Sequence, residues 1–232
     1  RMFKDRLSFT YDYFDKRTKD LIMPSVTSSL VVGGTLSPIN AGDVSNKGHE
    51  FELSWKDTIG DFSYGISGNI ATLKNEVTYV YETLTRVAGS SGGSGVTTYF
   101  EKGYPIWYMR GYEYAGVDPS TGTPRYYDAN GETVASPTAD DMKMIGSGIP
   151  DFTYGLTLNL SWKGFDFTAF GSGAYGNEIA YAVPRSTRIQ ANTLQYIFDN
   201  RWQKAGDNSL FPNAPLAQWE YAKFLQSSAY VF

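Results

Sequence analysis

Phe152-Thr153-Tyr154-Gly155-Leu156-Thr157-Leu158-Asn159-Leu160-Ser161-Trp162 alternates without interruption. Phe152, Tyr154, Leu156, Leu158, Leu160 and Trp162 fall on one side of an extended chain, and Thr153, Gly155, Thr157, Asn159 and Ser161 on the other. Successive side chains of a strand point to opposite faces, so the stretch reads as a β-strand with one apolar and one polar face. After Lys163-Gly164 the pattern restarts. Phe165, Phe167 and Ala169 oppose Asp166, Thr168 and Ser172, with Phe170 intruding on the polar side. Two alternating runs about a short turn predict a hairpin.

The same period recurs upstream. Residues 2–14 alternate around Phe3, Leu7, Phe9, Tyr11 and Tyr13; residues 48–56 around His49, Phe51, Leu53 and Trp55; residues 62–71 around Phe62, Tyr64, Ile66 and Ile70. Five strands are predicted, with a sixth beginning near Ala229. Residues 57–61 and Lys163-Gly164 read as tight turns, whereas residues 15–47, 75–149 and 175–227 read as very long connections. Connections that long are uncommon inside a compact soluble domain. Short turns at one end and long loops at the other are the arrangement of a transmembrane β-barrel, whose tilted strands need about 9–11 residues. Aromatics gather where the two membrane interfaces would lie: Tyr11, Tyr13 and Trp55 at strand ends, and Trp162 and Phe165 about the turn.

Composition agrees. The chain has 232 residues, 16% aromatic and rich in Gly (24), with 41% hydrophobic and 19% charged residues. A net charge of −4 offers no basic stripe for nucleic acid. Cys is absent and His49 is the single histidine, which excludes thiolate metal sites, disulfides and paired-His zinc sites. The apolar runs are too short for a membrane helix. The predicted fold is therefore all-β: a segment of a transmembrane antiparallel barrel. Leu156, Leu158 and Leu160 would face lipid, and Thr157, Asn159 and Ser161 the interior. The chain opens at Arg1 and stops at Phe232 inside an apparent strand, so it reads as part of a longer polypeptide. With two open sheet edges it should not fold alone.

Asn46-Lys47-Gly48-His49-Glu50 before Phe51 resembles the Asn-x-Gly-x-Glu strand entry of the SusC-like TonB-dependent outer-membrane transporters. Gly103-Tyr104-Pro105-Ile106, Gly111-Tyr112, Gly116-Val117-Asp118, Thr121-Gly122 and Tyr127-Asp128-Ala129-Asn130-Gly131-Glu132 follow in the family's order. Then come Ile145-Gly146, Ile149-Pro150-Asp151-Phe152-Thr153-Tyr154-Gly155, Gly176-Asn177-Glu178 and Arg201-Trp202. The likeness runs from about Phe9 to Phe232. The chain departs from the family in having Glu132-Thr133 where Asp-Gly is common after the Asn-Gly turn. The resemblance implies a 22-stranded barrel with a plugged lumen. On it, residues 1–232 are a C-terminal part of the barrel, 75–149 is a long extracellular loop with small hairpins, and the plug and final strands lie elsewhere. It also implies an outer-membrane location, a SusD-like surface lipoprotein as partner, the TonB complex engaged through the missing N-terminal part, and an oligosaccharide or peptide cargo.

Several residues bear on chemistry. Asp128, Asn130 and Glu132 form half of a calcium loop at most, and a hairpin turn explains them as well. Glu50 and Glu52 share a face about 7 Å apart, but a wet lumen accounts for carboxylates there without hydrolysis. His49 takes the lipid-side parity. No catalytic residue, metal or cofactor is predicted. The expected substrate or lid contacts are loop aromatics, chiefly Trp107, Tyr108, Tyr126, Tyr127 and Trp202, with Tyr112, Tyr175, Tyr181 and Trp219 in the wider group. Their other reading is as small cores within the loops. Competing function classes are a secreted carbohydrate-binding β-sandwich module and a passive porin or adhesin barrel.

Overall fold

The structure, a computed structural model, describes residues 2–23, 38–81, 84–91, 96–180, 195–213 and 225–227. The sixth strand expected near Ala229 lies outside them, as do Tyr181 and Trp219. The wall is one antiparallel sheet. Its strands are β1 (Leu7–Met23), β2 (Ile39–Ile59), β3 (Phe62–Thr72) and β4 (Lys74–Val80). After an insertion come β12 (Phe152–Trp162) and β13 (Phe165–Tyr175). Spatial order is β1-β2-β3-β12-β13, with β4 also on β2.

Register divides the residues between two faces, because directly opposed residues of an antiparallel pair share one. Leu158 lies between Ile66 and Ala169, and Leu160 between Tyr64 and Phe167. Phe51 lies between Tyr11 and Ile70. These side chains make one continuous apolar face. Thr157 pairs with Ser67 and Phe170, and Asn159 with Gly65 and Thr168, on the other. Thr168 Oγ1 donates to Asn159 Oδ1 at 2.9 Å there. The apolar face stays uncovered: Phe165 is 76% exposed and Leu156 53%.

The turns at the lower end are two residues each, Gly60-Asp61 and Lys163-Gly164. Positive φ at Lys163 (46°) and Gly164 (87°) matches the twist of the flanking strands. Every long connection leaves the opposite end.

Two expectations are corrected. The turn expected over residues 57–61 narrows to Gly60-Asp61, since β2 continues to Ile59. Residues 15–47 are not mainly a loop, since β1 runs 17 residues and β2 runs 21. At about 3.3 Å per residue, β2 is some 70 Å long, about twice the eleven-residue strands. The upper half escapes a period-two reading because Asp15 to Asp20 is polar on both faces. Asp15 to Asp20 stay exposed, but the inner face of β2 and the tip of β1 are covered. Met23, Ala41, Val44, Val77, Val80, Val87 and Phe100 form a buried cluster, with Leu21, Ile39, Leu84 and Ile106 at its rim.

Gly48 marks where β2 changes neighbours, pairing with β4 above (Lys47↔Lys74) and β3 below (Glu50↔Ala71). A Cβ there would lie 2.0 Å from the Thr72 carbonyl oxygen, so the close crossing requires glycine. Thr72 Oγ1 accepts the His49 N–H at 3.0 Å, and Asn75 Nδ2 donates to Asn46 Oδ1 at 2.7 Å. Asn75 Oδ1 in turn accepts the Ile106 N–H at 2.7 Å, tying the insertion to the wall.

The insertion builds two small sheets. One contains β5 (Arg86–Ser91), β6 (Thr97–Glu101), β7 (Tyr108–Gly111) and β11 (Lys143–Gly146), in the order β11-β7-β6-β5. The other contains β8 (Tyr114–Val117), β9 (Pro124–Tyr127) and β10 (Thr133–Val134), with β9 central. Beyond the wall, β14 (Glu178–Ala180) pairs with β15 (Leu225–Ser227), and a short helix α1 covers Gln195–Asp199.

Candidate functional site

Two surfaces follow from this geometry: the polar face of the wall and the sheets above it. On the wall, alternation brings Thr10, Asp12, Glu50, Glu52, Asn69 and Ser172 to one concavity of about 720 Å³. Asp12 stands directly opposite Glu50, and Glu52 opposite Thr10 and Asn69. None of the ion pairs among the described residues involves these three carboxylates, so the concavity is an acidic surface. No cluster of three metal-ligating side chains occurs among the described residues.

His49 sits on the apolar face. Its Nδ1 is 2.9 Å from the Tyr11 hydroxyl, and its ring lies 5.2 Å from that of Tyr13. With Phe51 stacked beyond it, this group is an aromatic band at the upper end of the apolar face.

The insertion is organised by tyrosines and by carboxylates that cap turns. Tyr108 is fully buried, its ring stacked on Tyr104 at 4.4 Å and its hydroxyl donating to Glu101. Burial, followed by the Glu101 carboxylate, pushes that hydroxyl up to about 12. Tyr126 is 6% exposed and meets Tyr114 and Tyr112 edge-on. Tyr114 donates its hydroxyl to the Leu210 carbonyl at 3.0 Å, and burial raises its pKa above the usual phenol range. Trp107 is 38% exposed, with its ring 5.7 Å from Phe100. Trp202 is half-buried. Its indole N–H donates to the Pro119 carbonyl at 3.0 Å, and its ring lies against Gly122, where a Cβ would come within 2.5 Å.

Of the five predicted contact residues, Tyr108 and Tyr126 are thus interior to the insertion and present no ring to a ligand. Trp107, Tyr127 and Trp202 keep part of their surface, but on different elements. Sequence reasoning passed over Tyr104 and Tyr114, which hold the two buried groups together. The density of tyrosines in this region (Tyr99, Tyr104, Tyr108, Tyr112, Tyr114, Tyr126 and Tyr127) was the available signal.

Asp128 does what a turn residue does. Its Oδ1 accepts the N–H groups of Asn130 and Glu132, each at 2.8 Å, and Gly131 takes φ +85°. Asp118 accepts the Ser120 N–H at 2.8 Å and pairs with Arg125. Arg125 and Ser120 hold its carboxyl well below the usual range. Asp141 accepts from Thr138 N–H, Thr138 Oγ1 and Ala129 N–H at 2.6, 2.9 and 2.9 Å, which lowers its pKa as well.

A family model described as TonB dependent receptor-like, beta-barrel matches residues 1–163. TonB-dependent receptor P3 of Formosa agariphila is 27% identical over 254 residues, covering 99% of this chain and 25% of that protein. TonB-dependent receptor P26 of the same organism is 28% identical over 232 residues, covering 92% of this chain and 23% of that protein. This chain therefore spans about a quarter of the length of these relatives. Among solved structures, that of the RagAB peptide transporter superposes with a TM-score of 0.79 at 24% identity, over 99% of this chain and 26% of that one. The RagAB peptide importer in its open-open state gives 0.78 at 23%, with the same coverage.

Proposed function

The chain belongs to the TonB-dependent receptor-like β-barrel family, and from that premise we propose that it is part of an outer-membrane importer of oligomeric nutrients. The observation that carries this reading is the two-faced wall. Register gathers Leu, Ile, Phe and Tyr on one uncovered face, and Thr, Ser, Asn and carboxylates on the other. Such a sheet suits lipid outside and water inside. A soluble sandwich would instead cover its apolar face with a second sheet.

In this proposal no bond is made or broken. Cargo is captured above the barrel under a SusD-like lipoprotein, and TonB, acting through another part of the whole protein, opens the lumen. The acidic concavity at Asp12, Glu50 and Glu52 lines the way in. Peptides are the cargo class to test first, because the RagAB likeness is to a protein described as a peptide transporter. Oligosaccharides remain the alternative. Trp107, Tyr127 and Trp202 are the aromatic surfaces for cargo or lid; flat rings of this kind bind peptide side chains and sugars alike.

The test uses the whole receptor in its own cells. Uptake of fluorescent oligopeptides and oligosaccharides is measured in wild type, in a TonB-disrupted strain and in a triple Trp107→Ala, Tyr127→Ala, Trp202→Ala variant. The proposal expects TonB-dependent uptake of one class, weakened in the variant while the barrel still assembles. TonB-independent uptake of both would favour a passive pore.

A further inference from the structure

The turn between β8 and β9 closes its own hydrogen bonds and offers further carbonyls to a distant part of the chain. Within it, the Gly122 N–H donates to the Asp118 carbonyl at 2.8 Å and the Asp118 N–H to the Thr123 carbonyl at 2.9 Å. The carbonyls of Pro119, Thr121 and Gly122 are taken by residues of the segment 200–213, at a separation of 83 residues for the first of them. Pro119 receives both the Trp202 indole N–H, at 3.0 Å, and the Gly206 N–H, at 2.8 Å. Asn213 donates its backbone N–H to Gly122 at 3.0 Å and its side-chain amide to Thr121 at 3.3 Å. Tyr114 of β8 returns a hydroxyl to the Leu210 carbonyl at 3.0 Å.

The segment is itself folded. The Trp202 N–H donates to the Phe211 carbonyl at 2.7 Å, and the Asn200 carbonyl accepts the N–H groups of Leu210 and Phe211, each at 3.2 Å. Asp207 Oδ2 accepts the N–H groups of Gln203 and Lys204 at 3.0 and 2.9 Å. Phe211 and Pro212 are buried, and Tyr196 of α1 meets Phe211 edge-on. Main-chain groups need partners when water is displaced, and the turn and the segment supply them to each other. The Trp202 ring lies over Gly122, whose φ is +72° and where a Cβ would come within 2.5 Å, so the contact requires glycine. The sheet carrying the turn is small, with strands of four, four and two residues. Strands that short keep their shape only with packing from outside the sheet.

We propose that residues 200–213 are a strap on the β8–β9 turn, and that Trp202 and Asn213 are positioning residues that hold the three-stranded sheet, and with it Tyr127, ready for cargo. The inference rests on the reading of the protein as an importer whose loop aromatics meet cargo. It gives Trp202 a role that passes through its indole N–H and the turn, beyond any ring surface it presents. Tyr127 ends β9, lies opposite Thr133 of β10, and donates its N–H to the Glu113 carbonyl at 2.8 Å, so its place depends on how β8 and β9 are held. The strap reads main-chain carbonyls, and thus the shape of the turn, which Asp118 fixes by accepting the Ser120 N–H at 2.8 Å and pairing with Arg125. A sheet freed from the strap must be ordered again each time cargo binds. That cost falls on affinity and leaves the later transport step unchanged.

In cells carrying the whole receptor, uptake of fluorescent oligopeptides and oligosaccharides is measured against concentration, and amide exchange is followed on the purified receptor. Trp202→Phe keeps an aromatic ring and removes the indole N–H; Asn213→Ala removes the side-chain amide and keeps the backbone N–H. Each should raise the half-saturating concentration about three- to tenfold, the effect of about one hydrogen bond, at an unchanged maximal rate. Each should also quicken exchange in β8 and β9 and leave β5 and β6 protected. Tyr127→Ala should weaken uptake in the wild type and add little in the Asn213→Ala background, because both changes act through the same ring. Wild-type uptake by Trp202→Phe beside impaired uptake by Trp202→Ala overturns the proposal, since the ring alone would then matter. Full additivity of Tyr127→Ala and Asn213→Ala overturns it as well, and unchanged exchange in both strap variants removes the strap whatever the transport result. Absence of TonB-dependent uptake of either cargo class by the wild type removes the importer reading and the positioning role with it, and quickened exchange would then retain the strap alone.

Discussion

In the wall the large apolar side chains are the exposed ones, and in the insertion above it they are the buried ones. Phe165 and Phe167 of β13 are 76% and 56% exposed, while Phe100 of β6 and Tyr108 of β7 are fully buried. The same residue types on the same kind of secondary structure thus serve two environments. The wall leaves its apolar face for an external solvent that is itself apolar, and satisfies its backbone through long ladders. The insertion carries its own core, built from aromatic stacking and from carboxylates that close turns. The two regions should therefore fail under different insults.

The largest separation should come from Phe100→Ala. Its ring lies against Gly42 of β2, where a Cβ would come within 2.5 Å, and forms the centre of the upper cluster. Truncating a buried Phe costs about 3–5 kcal/mol. Hydrogen exchange in β5, β6 and β7 should quicken, while the receptor keeps the heat-modifiable gel mobility of a closed barrel. Loss of that mobility as well would make the two regions one cooperative unit and break the comparison.

Next is Leu158→Arg on the outward face, which near the bilayer midplane should destabilise the barrel by about 2–4 kcal/mol. Asn159→Arg, one residue along on the wet face, should be much milder in the same denaturant titration. The reverse order would invert the faces of the sheet. Tyr108→Phe should have a smaller effect, about 1–3 kcal/mol, because among the described residues it leaves the Glu101 carboxylate with only Arg86 at 3.9 Å. That loss should appear in the insertion alone, as faster protease nicking.

The smallest effect is that of pH. Asp118 and Asp141 have folded pKa values lowered below those of the unfolded chain, by Arg125 with Ser120 and by Thr138 with Ala129. Their contribution is fully present above the ordinary carboxylate pKa of about 4 and is lost as pH falls through the folded values. Pepsin cleavage within residues 118–141 should thus rise between about pH 4 and pH 2 more than cleavage in the wall. Equal sensitivity of both regions would remove the distinction between them.

These differences also explain what could be read in advance. The hairpin of β12 and β13 and the facing of Leu158 against Asn159 were legible because a half-buried strand writes its two environments in alternate letters. The upper parts of β1 and β2 were not. Residues 15–20 are polar on both faces and exposed, while the inner face of β2 beside them is covered by Phe100 of β6, far along the chain. In the insertion, Asn130-Gly131 identified a turn, but nothing local separates Tyr108 and Tyr126, which are buried, from Trp107, which is partly exposed. Burial there depends on which strand lies across the next, and that information is spread over residues 84–149.

The ladder between β3 and β12 joins Thr72 to Phe152. Its first rungs wait on about eighty intervening residues, and in a folding reaction such distant partners meet late. The insertion shortens that wait. Once its own sheets have formed, its two ends stand side by side, with the Leu73 N–H donating to the Asp151 carbonyl at 2.8 Å. Closing an effective span of about ten residues in place of eighty lowers the entropic barrier by roughly 2 kcal/mol. A preformed crown would then act as a clasp that sets the order of events, bringing β12 and β13 to the waiting edge of β3 as a ready-made hairpin.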